Sequence, residues 1–125
     1  MSALKIIAEA GVNHDGELAR AMALVDVAAD AGADIVKFQA FRSRDLVAKG
    51  APSADYQKKT TGAKKQHNFL EQLELSTNEL MQVAGHCRSR DIEFLCTAFD
   101  TNMIQPLAEM GMRRVKIASG EIDNL

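Results

Sequence analysis

Short apolar runs alternate with segments of helical periodicity along the whole chain, and this order limits the fold more than any other feature. Strands are predicted at residues 4–10, 34–40, 93–99 and 115–118. Helices are predicted at residues 17–31, 67–73, 78–90 and 103–110. Strands that alternate with helices favour a parallel sheet with right-handed crossovers, so the sequence predicts an α/β fold.

Polar side chains collect where the predicted strands end. The set is Glu9, Lys37, Gln39, Thr97, Lys116, Ser119 and Glu121. A lysine within a strand-like run is costly to bury unless an anion meets it, and in a (β/α) barrel this end of the strands carries the chemistry. The pattern therefore predicts an anion site. The plainer alternative is a surface lysine on an edge strand and a glutamate at a solvated rim.

The number of strands is too small for a complete barrel. A (β/α) barrel needs eight strands and roughly 250 residues, whereas this chain has 125 residues and four predicted strands. Residues 1–125 are therefore expected to be the front half of a barrel domain. Because the outer edges of the first and last strands would be exposed, we expect either a longer protein or a half-barrel that pairs with a second copy.

Composition narrows the function classes. A net charge of −2 gives no basic excess for nucleic acid. No apolar stretch approaches the roughly 20 residues that span a bilayer, and no signal sequence is evident, so we expect no membrane contact and a cytoplasmic location. Cys87 and Cys96 lack CxxC spacing and are expected to be reduced, buried thiols.

The histidines do not predict a metal site. His14, His67 and His86 are not spaced as a ligand set. His14 follows the first strand and could border the site, whereas His86 lies in a predicted helix as a surface or interface residue. The irregular segment 41–66, which holds four lysines within eight residues, is either a solvated loop or a functional one.

Four strand-end segments together resemble the sialic acid synthase family, which includes N-acetylneuraminate and legionaminate synthases. They are residues 9–16, 36–39, 97–99 and 116–121, and residues 56–76 are also similar. The resemblance extends over essentially the whole chain in the family's order. It implies a (β/α)8 TIM barrel of which about the first four units are present. The second half and the C-terminal capping domain of the family would be absent.

The activity that the resemblance implies joins phosphoenolpyruvate to an N-acetylated hexosamine in its open-chain aldehyde form. The products would be a nine-carbon 2-keto sugar acid and phosphate, which leaves by C–O cleavage. The family needs a divalent metal, manganese or magnesium, whose histidine ligands would lie outside this chain. A homodimer is also implied.

The resemblance also implies roles for the strand-end residues. Lys37 and Lys116 would hold the phosphate and carboxylate of phosphoenolpyruvate, with hydrogen bonds from Thr97 and Ser119. Gln39 and Glu121 would contact the sugar, and Glu9 would position a metal-bound water or transfer a proton. The expected catalytic residues are thus Glu9, Lys37, Lys116 and Glu121.

Two other functions remain open from the sequence. A strand-end lysine could instead form a Schiff base in an aldolase, which would need a neutral amine. A truncated barrel could also serve as a non-catalytic binding or assembly module. The polar strand ends argue against the module, since such a protein has no need of them.

Overall fold

Three parallel strands form the sheet in this computed structural model, which describes residues 3–41 and 70–123. The strands are β1 (Ile7–Gly11), β2 (Ile35–Ala40) and β3 (Glu93–Ala98), and their order in the sheet is β1-β2-β3. Both pairings are parallel. The predicted α/β class and parallel sheet are confirmed.

Within residues 3–41 and 70–123, the strands are accompanied by the α-helices α1 (Leu18–Asp30), α2 (Thr77–Ser89) and α3 (Ile104–Glu109). Short 3-10 helices lie at Thr101–Met103 and Ser119–Glu121. Residues 70–72 of the predicted helix 67–73 are helical. The rest of that prediction, and all of the predicted loop 41–66 except Phe41, fall outside the described residues.

A capping box fixes the start of α2. The Glu79 backbone N–H donates to Ser76 Oγ at 3.1 Å, and the Ser76 N–H donates to Glu79 Oε2 at 2.8 Å. These bonds satisfy two backbone donors that the first turn of a helix otherwise leaves unpaired. The buried face of α2 then consists of Leu80, Val83, Ala84 and Cys87, which recur at helical spacing within the predicted helix 78–90.

The helices cover one face of the sheet, and the core lies between them. Val36, Phe38 and Ala40 alternate along β2 and are buried against the same cluster as Val25 of α1 and Val83 of α2. Side chains on a strand alternate between faces. Lys37 and Gln39 therefore project to the opposite side of the sheet from the helices.

Polar contacts also join α1 to α2 outside the core. Asp26 Oδ1 accepts from His86 Nε2 at 2.8 Å and from Arg90 Nη1 at 3.0 Å, and Arg90 also pairs with Asp30. His86 is thus an interface residue between helices, as one of the sequence interpretations had it. The contact fixes how the two helices lie on the sheet.

The predicted fourth strand, residues 115–118, is reduced to a single parallel bridge between Lys116 and Thr97. That prediction was wrong in extent. Val115 and Ile117 are 57% and 63% exposed, so neither flanking side chain is buried by a neighbour. An extended segment paired on one side, with its apolar side chains in water, lacks the packing that stabilises a full strand.

Replacing Ser76 by Ala should lower the free energy of unfolding by about 1 kcal/mol, because the Glu79 N–H loses its acceptor. Urea denaturation followed by circular dichroism measures this. Ser89→Ala is the matched control, since Ser89 Oγ only donates to the His86 carbonyl at the other end of α2. Equal effects of the two changes would contradict the capping role.

Candidate functional site

Strand register brings the predicted polar residues onto one face of the sheet. Glu9 pairs with Lys37, and Gln39 pairs with Thr97. Thr97 in turn pairs with Lys116 through the parallel bridge. Paired residues of parallel strands lie side by side and point to the same face. Five of the seven predicted site residues therefore form two neighbouring rows on the face of the sheet opposite to α1 and α2. The first row is Glu9 and Lys37, and the second, two residues nearer the strand ends, is Gln39, Thr97 and Lys116.

The first of these rows, Glu9 and Lys37, is an ion pair. Lys37 Nζ lies 2.5 Å from Glu9 Oε2, and the Lys37 side chain is 16% exposed whereas that of Glu9 is 50% exposed. A largely buried ammonium needs a neighbouring anion to offset its lost hydration. Glu9 supplies that anion from the exposed end of the pair, where a bound ligand could take its place.

Gly11 is a site residue that the sequence analysis did not identify as one. The register of β1 on β2 shifts between Glu9 and Gly11, and Gly11 has a φ of +56°. A Cβ atom there would lie 3.2 Å from Glu9 Oε1 and 3.7 Å from Gln39 Nε2. Glycine at this bulge therefore allows a backbone conformation and a close approach that other residues resist. The signal available in the sequence was a glycine two residues after the strand-end glutamate.

The two residues at the bridge differ in exposure. Thr97 is only 3% exposed and is the buried member of the second row. Lys116 is exposed, and its Nζ donates to the carbonyl of Ile117 at 3.0 Å. A surface hydrogen bond of this kind is readily exchanged for another, so the Lys116 ammonium is available to an anionic ligand.

Ser119 and Glu121 are placed differently from the other five residues. They lie in the 3-10 helix Ser119–Glu121, where the Glu121 N–H donates to the Ala118 carbonyl at 2.9 Å. Strand pairing stops at Lys116 and does not fix their distance from Lys37. Their predicted roles, like those of the other site residues, stay predictions.

His14 does not lie on the polar face. It is fully buried, and its ring centroid lies 6.2 Å from that of Phe38, which projects to the helix side. The Gly16 N–H donates to Nδ1 at 2.9 Å, so Nε2 carries the proton, and Nε2 is buried without a partner in the described structure. Burial lowers the pKa of His14, and nearby Asp15 and Glu79 oppose this only in part. His14 is a neutral core residue.

The thiols and carboxylates do not form a metal centre in the described part of the chain. Cys87 and Cys96 are both free and buried, as predicted, and burial raises the pKa of each thiol to about 12. Within residues 3–41 and 70–123, no group of three or more His, Cys, Asp or Glu side chains could hold a metal ion. Over the same residues, no helix is long and apolar enough to cross a membrane.

Comparison with known proteins connects this geometry to a family. A model described as the NeuB family matches residues 24–125. The N,N'-diacetyllegionaminic acid synthase of Campylobacter jejuni is 44% identical over 121 residues, which are 96% of this chain and 36% of that protein. Its counterpart in Legionella pneumophila is 45% identical, over 96% of this chain and 34% of that protein. The chain thus spans about a third of these relatives.

A solved structure is also similar. The N-acetylneuraminic acid (sialic acid) synthetase from Leptospira borgpetersenii, crystallised with citrate, superposes with a TM-score of 0.79 and 32% identity. The match covers 98% of this chain and 39% of that one. These findings confirm the family resemblance and the fold class: the described residues form part of a TIM-type barrel.

The free energy of unfolding should fall as the pH drops below about 6.5, because the unfolded chain binds a proton at His14 that the buried ring resists. For one group the slope is at most about 1.4 kcal/mol per pH unit. His14→Asn should keep an acceptor for the Gly16 N–H and remove the pH dependence of the free energy of unfolding that His14 causes. The stability difference between wild type and His14→Asn should therefore shrink between pH 8 and pH 5.5 in urea denaturation. A constant difference would contradict the burial of a neutral His14.

Proposed function

Because the chain belongs to the NeuB family, we propose that it carries part of an active site that condenses phosphoenolpyruvate with an N-acetylated hexosamine. The sugar would be N-acetylmannosamine or a related 6-deoxy diacetamido sugar. The products would be a nine-carbon sialic-acid-type 2-keto acid and phosphate. The names of the legionaminic acid and sialic acid synthases that it resembles support this class of substrate.

The observation that carries the proposal is the two neighbouring rows of polar residues on one face of a parallel sheet. Lys37 belongs to the first row, and Lys116 lies at the end of the second. Phosphoenolpyruvate carries a phosphate ester and a carboxylate on the same carbon, so two separated cations match its two anionic groups. Thr97, buried between them, would donate a hydroxyl hydrogen bond, and Ser119 would donate another.

Glu9 would take part by exchanging partners. Its carboxylate is paired with the Lys37 ammonium. The phosphate or carboxylate of phosphoenolpyruvate would displace it from that ammonium. The displaced carboxylate, half exposed at the strand end, would then lie beside the bound ligand as a proton acceptor. This ordering keeps Lys37 paired with an anion throughout, which avoids an unpaired buried charge.

The chemistry would then proceed as follows. Carbon 3 of phosphoenolpyruvate attacks the aldehyde carbon of the sugar, and the aldehyde oxygen takes up a proton. Water adds to carbon 2 and gives a proton to a carboxylate, for which Glu9 is the candidate. The C–O bond to phosphate then breaks, the carbon-2 hydroxyl gives its proton to the departing phosphate, and carbon 2 becomes a ketone. Fixed cations stabilise the departing phosphate. Gln39 and Glu121 would contact the sugar.

A divalent metal, manganese or magnesium, is part of the proposal only through the family resemblance. The described residues do not gather a ligand set for it, so no step above passes through a metal. A homodimer is proposed on the same basis, whereas the cytoplasmic location is proposed from the composition of the sequence.

The Glu9 ion pair favours anion binding over the Schiff-base alternative. An ion pair stabilises the charged ammonium of Lys37, whereas a Schiff base forms from the neutral amine. Borohydride reduction with a carbonyl substrate separates the two. We expect no covalent adduct at Lys37 or Lys116, and a trapped adduct at either lysine would overturn this part of the proposal.

Titration calorimetry of the chain with phosphoenolpyruvate tests the proposal. We expect saturable binding that Lys37→Ala weakens at least tenfold, since charge-assisted hydrogen bonds contribute about 1.5–3 kcal/mol. Lys5→Ala is the matched control, because Lys5 is an exposed lysine before the start of β1. Absence of binding by the folded wild-type chain, or equal losses in both variants, would contradict the proposed site.

Glu9→Gln should strengthen phosphoenolpyruvate binding by about two- to fivefold. The ligand would no longer compete with a carboxylate for Lys37, and a partly exposed ion pair contributes about 0.2–1 kcal/mol. Glu109→Gln removes the same charge from the exposed face of α3 and should leave the affinity unchanged. Weaker binding in Glu9→Gln would show that Glu9 contacts the ligand instead of yielding to it.

A further inference from the structure

The segment that carries Lys116 is held against β3 at few points. Its one backbone pairing with the sheet in the described structure is the bridge between Lys116 and Thr97. Earlier in the chain, the turn after α3 is held by Arg88, whose Nη1 donates to the Met110 carbonyl at 2.8 Å. A single bridge does not by itself define the register of a segment, because a slip of one residue would turn Lys116 to the other face.

A side-chain contact supplies a second point. Arg114 Nε donates to Glu93 Oε1 at 2.8 Å, and the Glu93 side chain is only 22% exposed. Glu93 is the first residue of β3, on the same face as Thr97 but four residues before it. At about 3.3 Å per residue, Glu93 lies about 13 Å from Thr97 along β3. Arg114 is thus anchored at the opposite end of the sheet from the proposed ligand.

We propose that the Glu93–Arg114 ion pair is a positioning contact that sets the register of residues 112–118 on β3 and so places Lys116 beside Thr97. Its consequence for ligand binding rests on the proposed function, whereas its effect on register does not. Two contacts at separate places along the segment define a register that one contact leaves free. Arg114 would act through Lys116 and would not touch the substrate.

The competing role for Arg114 is direct binding of the anionic ligand. Arginine is well suited to phosphate and carboxylate, and Arg114 lies only two residues from Lys116. The two roles make opposite predictions at Glu93. If Arg114 positions the segment, loss of Glu93 weakens ligand binding. If Arg114 binds the ligand, loss of Glu93 frees the guanidinium and leaves binding the same or tighter.

The experiment combines hydrogen exchange of backbone amides at residues 113–118 with calorimetric titration of phosphoenolpyruvate. Glu93→Gln and Arg114→Gln should each raise the exchange rates and weaken binding by about two- to fivefold, the equivalent of one partly exposed ion pair. The double variant Glu93→Arg with Arg114→Glu exchanges the two charges. It should restore most of the slow amide exchange and most of the affinity for phosphoenolpyruvate. Arg113→Gln is the control, because it removes the adjacent exposed arginine. It should change neither the exchange rates nor the affinity for phosphoenolpyruvate.

A second set of measurements starts from the Lys116→Ala variant. In Lys116→Ala, adding Arg114→Gln should cause no further loss of affinity, because the contact acts only through Lys116. A further loss there, or weaker binding in Arg114→Gln with none in Glu93→Gln, would assign Arg114 to the ligand. Unchanged exchange rates in both single variants would overturn the positioning role. If the wild-type chain binds no phosphoenolpyruvate, the proposed function fails, while the exchange rates still decide whether the pair sets the register.

Discussion

Parallel pairing of β2 with both of its neighbours is the constraint on which the rest of the structure depends. It divides the residues of each strand between two faces. One face, with Phe38 and Cys96, is buried under the helices. The other carries Lys37 and Thr97, each level with a polar partner on the next strand. The same alternation thus produces the core and the site, and a register slip in β2 would destroy both.

The electrostatics of the site follow from the partial burial of Lys37. A cation that is 16% exposed must face an anion, and Glu9 is that anion in the absence of ligand. The pair itself carries no net charge, and its ammonium can exchange Glu9 for an anionic ligand that binds more strongly. Gly11 makes the arrangement possible, because a side chain at its bulge would crowd the Glu9 carboxylate. Binding and acid–base chemistry are therefore linked through one ion pair in the proposed function.

Features set by local sequence were predictable, and those set by distant neighbours were not. The capping box and apolar stripe of α2 lie within one segment, as does the alternation of β2 that separates Phe38 from Lys37. By contrast, the fourth strand shrank to one bridge because its apolar side chains lack a covering neighbour. The burial of His14 against Phe38 and the contact of Arg114 with Glu93 join residues more than twenty positions apart. No local periodicity reports such contacts.

The central claim is that the carboxyl ends of the strands, on the face opposite to α1 and α2, form an anion site. The most direct measurement is nuclear magnetic resonance mapping of amide shifts in the ¹⁵N-labelled chain during titration with phosphoenolpyruvate. The account predicts saturable shifts at Glu9, Gly11, Lys37, Thr97 and Lys116, with little change at Lys5 or Glu93. Shifts that concentrate at the opposite strand ends or on the outer faces of α1 and α2, or no saturable shifts, would contradict it.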